Sequence, residues 1–330
     1  MTTRDGLAGF GECGRVAAHE LAEARRLVAG LPETSYETVR RRLAALPALQ
    51  AATNMALLDI IGRQTKAPVY QVLGGPTRFK ARVMTRLTGS TEQELAAGID
   101  RAKAAGFRAV SVPLPPSTAR NQGRAFVRGA KKRLEALRAA AGEDCDFVLD
   151  GAAALTPGDA ASLAAALERF HLLWFDEPCA KLNAGALRKL AAENVTPIGW
   201  GRHVTDGAAF QDLLREDCID ILRPDIALNG ITGIRKMAAL AETYYVAVAP
   251  YHEGGPVATA AALHLAASLP NFFIQQIPPA WDPRDRAVRE EIAGRSLEAV
   301  QDGFAGLPAG PGLGITVNEQ ALRKYQEAAL

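Results

Sequence analysis

The chain has 330 residues, 48% of them hydrophobic and 22% charged, with 38 basic against 36 acidic residues and a formal charge of +2. That is an ordinary globular balance with room for one large domain and a smaller one, and it excludes the basic excess of a nucleic-acid-binding face. Cys13, Cys145, Cys179 and Cys218 form no CxxC pair, no apolar run reaches the ~20 residues of a membrane span, and the start is not a signal peptide, so a soluble cytoplasmic protein with reduced thiols is expected.

Residues 1–80 read as mostly helical. Apolar stripes of helical period run through VAAHELAEARRLVAGL and YETVRRRLAALPALQAATNMALLDIIGRQT, the second interrupted by Pro47. YQVLGGPTR ends this part with Gly74 and Gly75, a pair suited to a turn. From Ala81 short apolar segments alternate with helices of about 12 residues, near the length of a crossover helix. Strands are expected at ARVMTRL, AVSVPL, FVLD, LLWF, PIGW, IDILRP, YVAVAP and FFIQQI. Helices open near Thr91, Ala119, Thr156, Asn183, Asp206, Gly233 and Pro256. This count predicts a closed parallel barrel over residues 81–288 rather than an open sheet. The tail, 289–330, contains GFAGLPAGPGLGITVNE. Its glycines and prolines read as loop, with GITVNE adding a short strand and the segment returning to the small domain.

Chemistry on a parallel barrel sits at the C-terminal ends of the strands. Those positions carry Ser111 and Pro113 on the second strand, Asp150 on the third, and Asp176 with Glu177 on the fourth. Arg202 and His203 follow on the fifth, Arg223 and Asp225 on the sixth, Tyr251, His252 and Glu253 on the seventh, and Gln275 and Gln276 on the eighth. A packed barrel core tolerates far less polarity, so one mouth of the barrel reads as a site. A carboxylate at a strand end also serves as an ordinary helix N-cap, but Asp150, Asp176 and Asp225 on three strands argue against coincidence. His264, in the helical stripe ALHLAASLP, reads as structural, and Cys179 lacks a neighbouring base to make it a nucleophile. Glycines in NGITG and EGGPVAT open the sixth and seventh helices, where backbone N–H groups receive anions. Neither nucleotide-binding glycine fingerprint is present.

The segments DGLAGFGE, ALLDIIGRQTKAPVYQVLGG, LLWFDEP, DILRPDIALNGITGIRKMAALAE, VAPYHEGGPVATAA and GPGLGI follow one another in an order that resembles the mandelate racemase and muconate lactonizing enzyme branch of the enolase superfamily, and within it the sugar-acid dehydratases. The resemblance implies an α/β fold, a modified (β/α)7β TIM barrel under a small α+β capping domain spanning 1–80. It implies that the cap is truncated, since a chain starting at TTRDGLAGFGE lacks the family's opening strand and specificity loop. The family abstracts a proton next to a carboxylate, with magnesium stabilising the enediolate and lysine or histidine bases moving the proton. Three carboxylates on strands three to five hold that metal. Asp150 matches the first and Asp176 the second, an aspartate where glutamate is usual, but Arg202 stands at the third. A guanidinium has the shape for a bidentate bond to either aspartate, so Arg202 is expected to replace the metal and neutralise the pair.

The bases depart from the family in the same pocket. Ser111 and Pro113 occupy the strand-two lysine positions, Tyr251 the histidine position with His252 one residue on, Gln276 the strand-eight glutamate, and Ala152 a further histidine. Asp225 matches the aspartate that supports the histidine. The expected function is therefore a noncatalytic or repurposed homologue that binds a small carboxylate or sugar acid through Arg202, His203, Arg223, Glu253, Ser111 and Gln276. It needs no cofactor; magnesium is the family-based alternative. A metal-independent lyase or epimerase using Asp225 with His252 or Tyr251 is a second reading. A magnesium-dependent sugar-acid dehydratase with a displaced metal site is a third. A homo-oligomer, or association with an active homologue, follows from the resemblance; a nucleic-acid or membrane partner does not.

Overall fold

The computed structural model describes residues 1–330 except 117–122, 180–183, 193, 206, 280 and 329–330. Four helices come first: α1 (Ala18–Val28), α2 (Tyr36–Arg42), α3 (Pro47–Gln64) and α4 (Val69–Val72). Pro47 opens α3 rather than breaking it, because the first helical position needs no N–H donor. Before α1 the described residues hold one antiparallel bridge, Thr2 with Ala8.

The barrel follows as β1 (Lys80–Arg86), α5 (Glu92–Ala104), β2 (Ala109–Pro113), α6 (Gly123–Ala141), β3 (Asp146–Asp150), α7 (Pro157–Leu167), β4 (Trp174–Asp176) and α8 (Ala184–Ala192). It continues with β5 (Ile198–Trp200), α9 (Gly207–Arg215), β6 (Ile221–Leu222), α10 (Ile226–Glu242), β7 (Ala247–Val248), α11 (Pro256–Ser268) and β8 (Gln275–Gln276). Strands β1 to β7 pair in parallel in sequence order. β8 closes the ring, parallel to β1 on one side and bridged to β7 through Val248 and Phe272 on the other. This is the expected eight-stranded TIM barrel. The expected openings of the second, fourth and fifth barrel helices at Ala119, Asn183 and Asp206 lie outside the described residues.

Local chemistry starts the helices where it should. Thr91 and Glu94 cap α5 reciprocally, and Thr156 caps α7 ahead of Pro157. The helix expected from Gly233 in fact starts at Ile226, capped by Asp225, with a break at Gly230 (φ 62°). An Asn-Gly step reads as a turn in sequence. Here it is a kink held against α3: Asn54 accepts from Thr232 N at 3.0 Å, and a Cβ on Gly230 would meet Asn54 Oδ1 at 3.0 Å.

Three apolar clusters result among the described residues. The largest lies between strands and helices, a second fills the barrel floor with Met84, Ala109, Val148, Trp174, Ile221, Ala249 and Ile274, and a third packs α1, α2 and α3 together through Ala24, Val39, Leu43, Leu49 and Leu57. Gly199 makes room for Trp174, whose indole would lie 2.2 Å from a Cβ there.

After α12 (Pro283–Ala293) the tail forms a hairpin, β9 (Val300–Gln301) and β10 (Phe304–Gly306), with β10 antiparallel to β1. The expected strand at GITVNE is absent; the strands lie earlier, around the Asp302–Gly303 turn. The segment ahead of α13 (Glu319–Ala328) instead docks on α3. Buried Asp59 accepts from Leu313 N at 2.8 Å, Phe10 N at 3.1 Å and Arg63 Nε at 3.0 Å, tying both ends of the chain to one carboxylate.

Candidate functional site

The inward side chains above the barrel floor bond to one another. Arg202, just past β5, grips Asp150 of β3 with Nη1 at 3.3 Å and Nη2 at 3.0 Å, and the same Nη2 donates to Asp176 of β4. Arg223, just past β6, covers the other side of Asp176, its Nε 3.1 and 3.2 Å from the two carboxylate oxygens. Its Nη1 donates to Ala249 O at 2.6 Å and its Nη2 to Gln276 Oε1 at 2.6 Å. Gln276 donates onward to Glu253 at 3.0 Å, and Glu253 pairs with Arg86 of β1 at 2.7 Å. One continuous belt thus joins β3, β5, β4, β6, β8, the β7 loop and β1. Both guanidiniums also face the Tyr251 ring, at 4.8 Å for Arg202 and 5.7 Å for Arg223.

The electrostatics follow from this packing. Burial by itself would raise the Asp176 carboxyl, but Arg223 and Arg202 outweigh it and hold the group below its ordinary value. Glu177 is raised by burial and by the neighbouring Asp176 charge. Its Oε1 accepts from both Gly201 N and Arg202 N at 2.8 Å, which fixes the turn that aims Arg202.

These residues do not fit a divalent cation. The oxygens of Asp150 and Asp176 are aimed at guanidiniums, the third ligand position carries Arg202, and Glu177 is turned to backbone amides. Among the described residues no three His, Cys, Asp or Glu side chains converge as metal ligands.

The remaining expected residues separate. Asp225 caps α10 through Ala227 N at 2.7 Å, and burial raises it to about 6. Tyr251 bridges to it through the backbone, and burial, reinforced by Glu253, pushes its hydroxyl to about 12. His203 is exposed at the rim. Ser111 is 1% exposed, its hydroxyl without a partner, so it faces no ligand from solvent. His252 does not turn to Asp225: its Nδ1 accepts from Gly254 N at 3.2 Å and its Nε2 lies 2.9 Å from Thr259 Oγ1. His264 is structural, accepting from Tyr70 N at 3.3 Å, and burial raises the Cys179 thiol to about 11.

The anion sites expected at NGITG and EGGPVAT are already filled by the protein. Asn54 takes Thr232 N. Half-buried Glu12, from the GFGE segment, takes Gly255 N, together with Val257 N and Ala258 N at 3.1 Å each, at the start of α11. Sequence reasoning missed Glu12 and Arg86; Arg86 had a signal, a basic residue ending the first strand. Replacing Glu12 with Ala is expected to lower stability by about 1–2 kcal/mol, as for other lost N-caps, measured by urea unfolding. An unchanged midpoint would mean the cap contributes nothing.

The buried histidines set an acid limit. Burial, with a smaller push from Arg289, lowers His252 to about 3, and burial lowers His264 to about 4. The unfolded chain protonates both near pH 6.5, so it binds more protons below that value and stability falls with pH in that window. Each histidine contributes a slope of about 1.4 kcal/mol per pH unit. Asp225 works in the opposite sense, since its raised value gives stability that is lost as pH rises through about 6. In His252→Gln the slope of stability between about pH 6 and pH 4 should fall by one proton's worth. Equal slopes in parent and variant would contradict this.

Comparison with known proteins agrees with this architecture. Residues 94–321 match the enolase C-terminal domain-like family. The chain is 30% identical to a D-galactonate dehydratase of Ralstonia nicotianae, covering 100% of this chain and 90% of that protein. It is 29% identical to a D-mannonate dehydratase of Caulobacter sp., over 83% of this chain and 73% of the other. A mandelate racemase/muconate lactonizing enzyme structure from Sulfitobacter sp. superposes with a TM-score of 0.87 at 26% identity, covering 98% and 88% of the two chains. A similar protein from Roseovarius sp. gives 0.85 at 27%, with the same coverage.

Proposed function

The chain belongs to the enolase C-terminal domain-like family, in its mandelate racemase/muconate lactonizing enzyme branch close to the sugar-acid dehydratases, and from that premise we propose that it is a repurposed, noncatalytic member that binds a small carboxylate or sugar acid. One observation carries the proposal: Arg202 spans Asp150 and Asp176, the two carboxylates that match the family's metal ligands. Enediolate formation needs a divalent charge beside the substrate carboxylate and a base poised at the carbon. Arginine supplies one positive charge, and that charge is neutralised by two aspartates. Ser111 is enclosed and His252 is turned into the protein. With Arg202 and Arg223 held internally, this reading puts an anionic ligand at the rim, where His203 is exposed and the Arg86 side chain, although paired with Glu253, is 42% exposed.

Calorimetry with magnesium tests the metal claim; no saturable heat is expected. A sugar-acid panel should give thermal stabilisation without turnover. Tight magnesium binding, or dehydration that EDTA abolishes, would overturn the proposal. A second reading, a metal-independent lyase or epimerase, is favoured by Asp225, which titrates at about 6 beside Tyr251. Turnover that survives EDTA and disappears in Asp225→Asn would select it.

A further inference from the structure

We propose that a cavity on the outer wall of the barrel, beside α12, is a separate ligand site whose ligand is a small organic cation, an ammonium carried on an aromatic or other flat apolar body. The cavity holds about 250 Å³ between the end of α5, the link from β8 to α12 and the segment from α12 to β9. It shares no lining residue with the polar mouth, and the inference stands apart from the reading of that mouth. A cavity of about 150 Å³ takes benzene, so this one has room for a ring with a short charged arm. Its apolar wall includes Phe107, Pro278 and Trp281. Phe107 is 3% exposed and meets Trp281 edge to face, with ring centroids 6.1 Å apart at 76°. That contact fixes the indole in the wall, while Trp281 itself stays half-exposed. Aromatic faces attract cations, indole most strongly.

The polar wall is acidic. Glu298 lines the cavity with a side chain only 9% exposed. Its Oε1 accepts from Thr259 Oγ1 at 3.1 Å and from Arg289 Nη1 at 3.4 Å, whereas its Oε2 has no partner among the described residues. A carboxylate oxygen enclosed to that extent calls for a donor. Glu290, half-buried in the same lining, has a side chain that makes no ion pair or hydrogen bond among the described residues. The nearby cations do not answer it. Arg289 is shared between Glu298 and Asp285, 2.9 Å from the latter, and Arg286 is already partnered. An anion here would meet two carboxylates, and a neutral ring would leave both without a donor. An ammonium supplies the charge and the N–H groups, and its apolar body fills the space against Trp281.

Calorimetric titration of the full chain with benzylammonium tests it, with benzyl alcohol and benzoate as neutral and anionic controls of the same shape. Benzylammonium is expected to bind with a Kd below about 10 mM, the range of a fragment of this size, and at least about fivefold tighter than either control. It should also change indole emission through Trp281, since Trp174 and Trp200 are 0% and 8% exposed. Trp281→Leu should weaken binding at least about threefold through loss of the indole face, and Trp281→Phe should keep most of the affinity. Glu290→Gln should weaken binding about threefold. That side chain has no protein partner to lose among the described residues, so the variant keeps its fold, which a matching melting curve checks. A titration without saturable heat would overturn the proposal. So would benzoate or benzyl alcohol binding as tightly as benzylammonium, or an affinity unmoved by Trp281→Leu or by Glu290→Gln.

Discussion

Asp176→Asn is expected to be the most damaging single substitution in the barrel. Asp176 is fully buried and, among the described residues, is the one carboxylate that hydrogen-bonds both Arg202 and Arg223. The amide keeps the shape but removes the charge, leaving two buried guanidiniums with Asp150 as their nearby counter-charge. Removing one partner of a buried pair costs about 3–5 kcal/mol, and here both cations lose their shared partner. Urea unfolding at neutral pH measures it. The double variant Asp176→Asn with Arg223→Gln should recover part of the loss, because one uncompensated cation goes with the carboxylate. A single-variant loss within about 1 kcal/mol, the size expected of a solvent-screened pair, would mean water penetrates the belt. Because Asp176 is held below its ordinary value, its contribution is present at neutral pH and lost as pH falls through that lowered value.

Arg202→Glu should destabilise the chain by a similar amount in EDTA, since it sets a third negative charge against Asp150 and Asp176. Its diagnostic is the response to added cation. If Arg202 stands where a metal charge belongs, millimolar magnesium should stabilise the variant and leave the parent unmoved. A ligand at ten times its Kd contributes about 1.4 kcal/mol through mass action, enough to shift a melting curve visibly. Arg202→Met separates charge from shape: it should lose stability without gaining a magnesium response. Equal magnesium responses in parent and Arg202→Glu would remove the idea that the guanidinium is a resident cation.

Most polar groups at the mouth of the barrel pair with one another, although Arg202 Nε, Ser111 Oγ and Gln275 Oε1 are buried without a hydrogen-bond partner among the described residues. Arg86, Glu253, Gln276, Arg223, Asp176, Arg202 and Asp150 form a single chain of donors and acceptors across the barrel. These groups face each other across the barrel. Connected buried networks of this kind rigidify a structure. This one gives the mouth a structural role in addition to any ligand it takes at its rim.

The barrel was legible because parallel strands covered on both faces read as short apolar runs bounded by helices. Phe147, Val148 and Leu149 are such a run, as are Trp174 and Phe175, and all are buried. The polar strand ends were legible for the converse reason, since no packed core accepts them unpaired. Legibility failed where a residue's role depends on distant partners. Gly230 is a helix kink rather than a turn because Asn54 packs against it, and Glu12, to which the sequence assigns no role, caps the α11 amides. His252 is a candidate base by sequence, but Thr259 and Gly254 hold both its nitrogens.

Sequence by itself determined the fold class, the end of the barrel that carries polarity, and the substitution of arginine for a carboxylate on the fifth strand. The first two are properties of local pattern and residue type; the third is what the resemblance to the enolase superfamily implies for Arg202. Only the tertiary structure decided what those polar groups do. Arg202 meets Asp176 across 26 residues of sequence and Asp150 across 52. Pairings of that kind arise when barrel closure brings strand ends together, and no local preference encodes them.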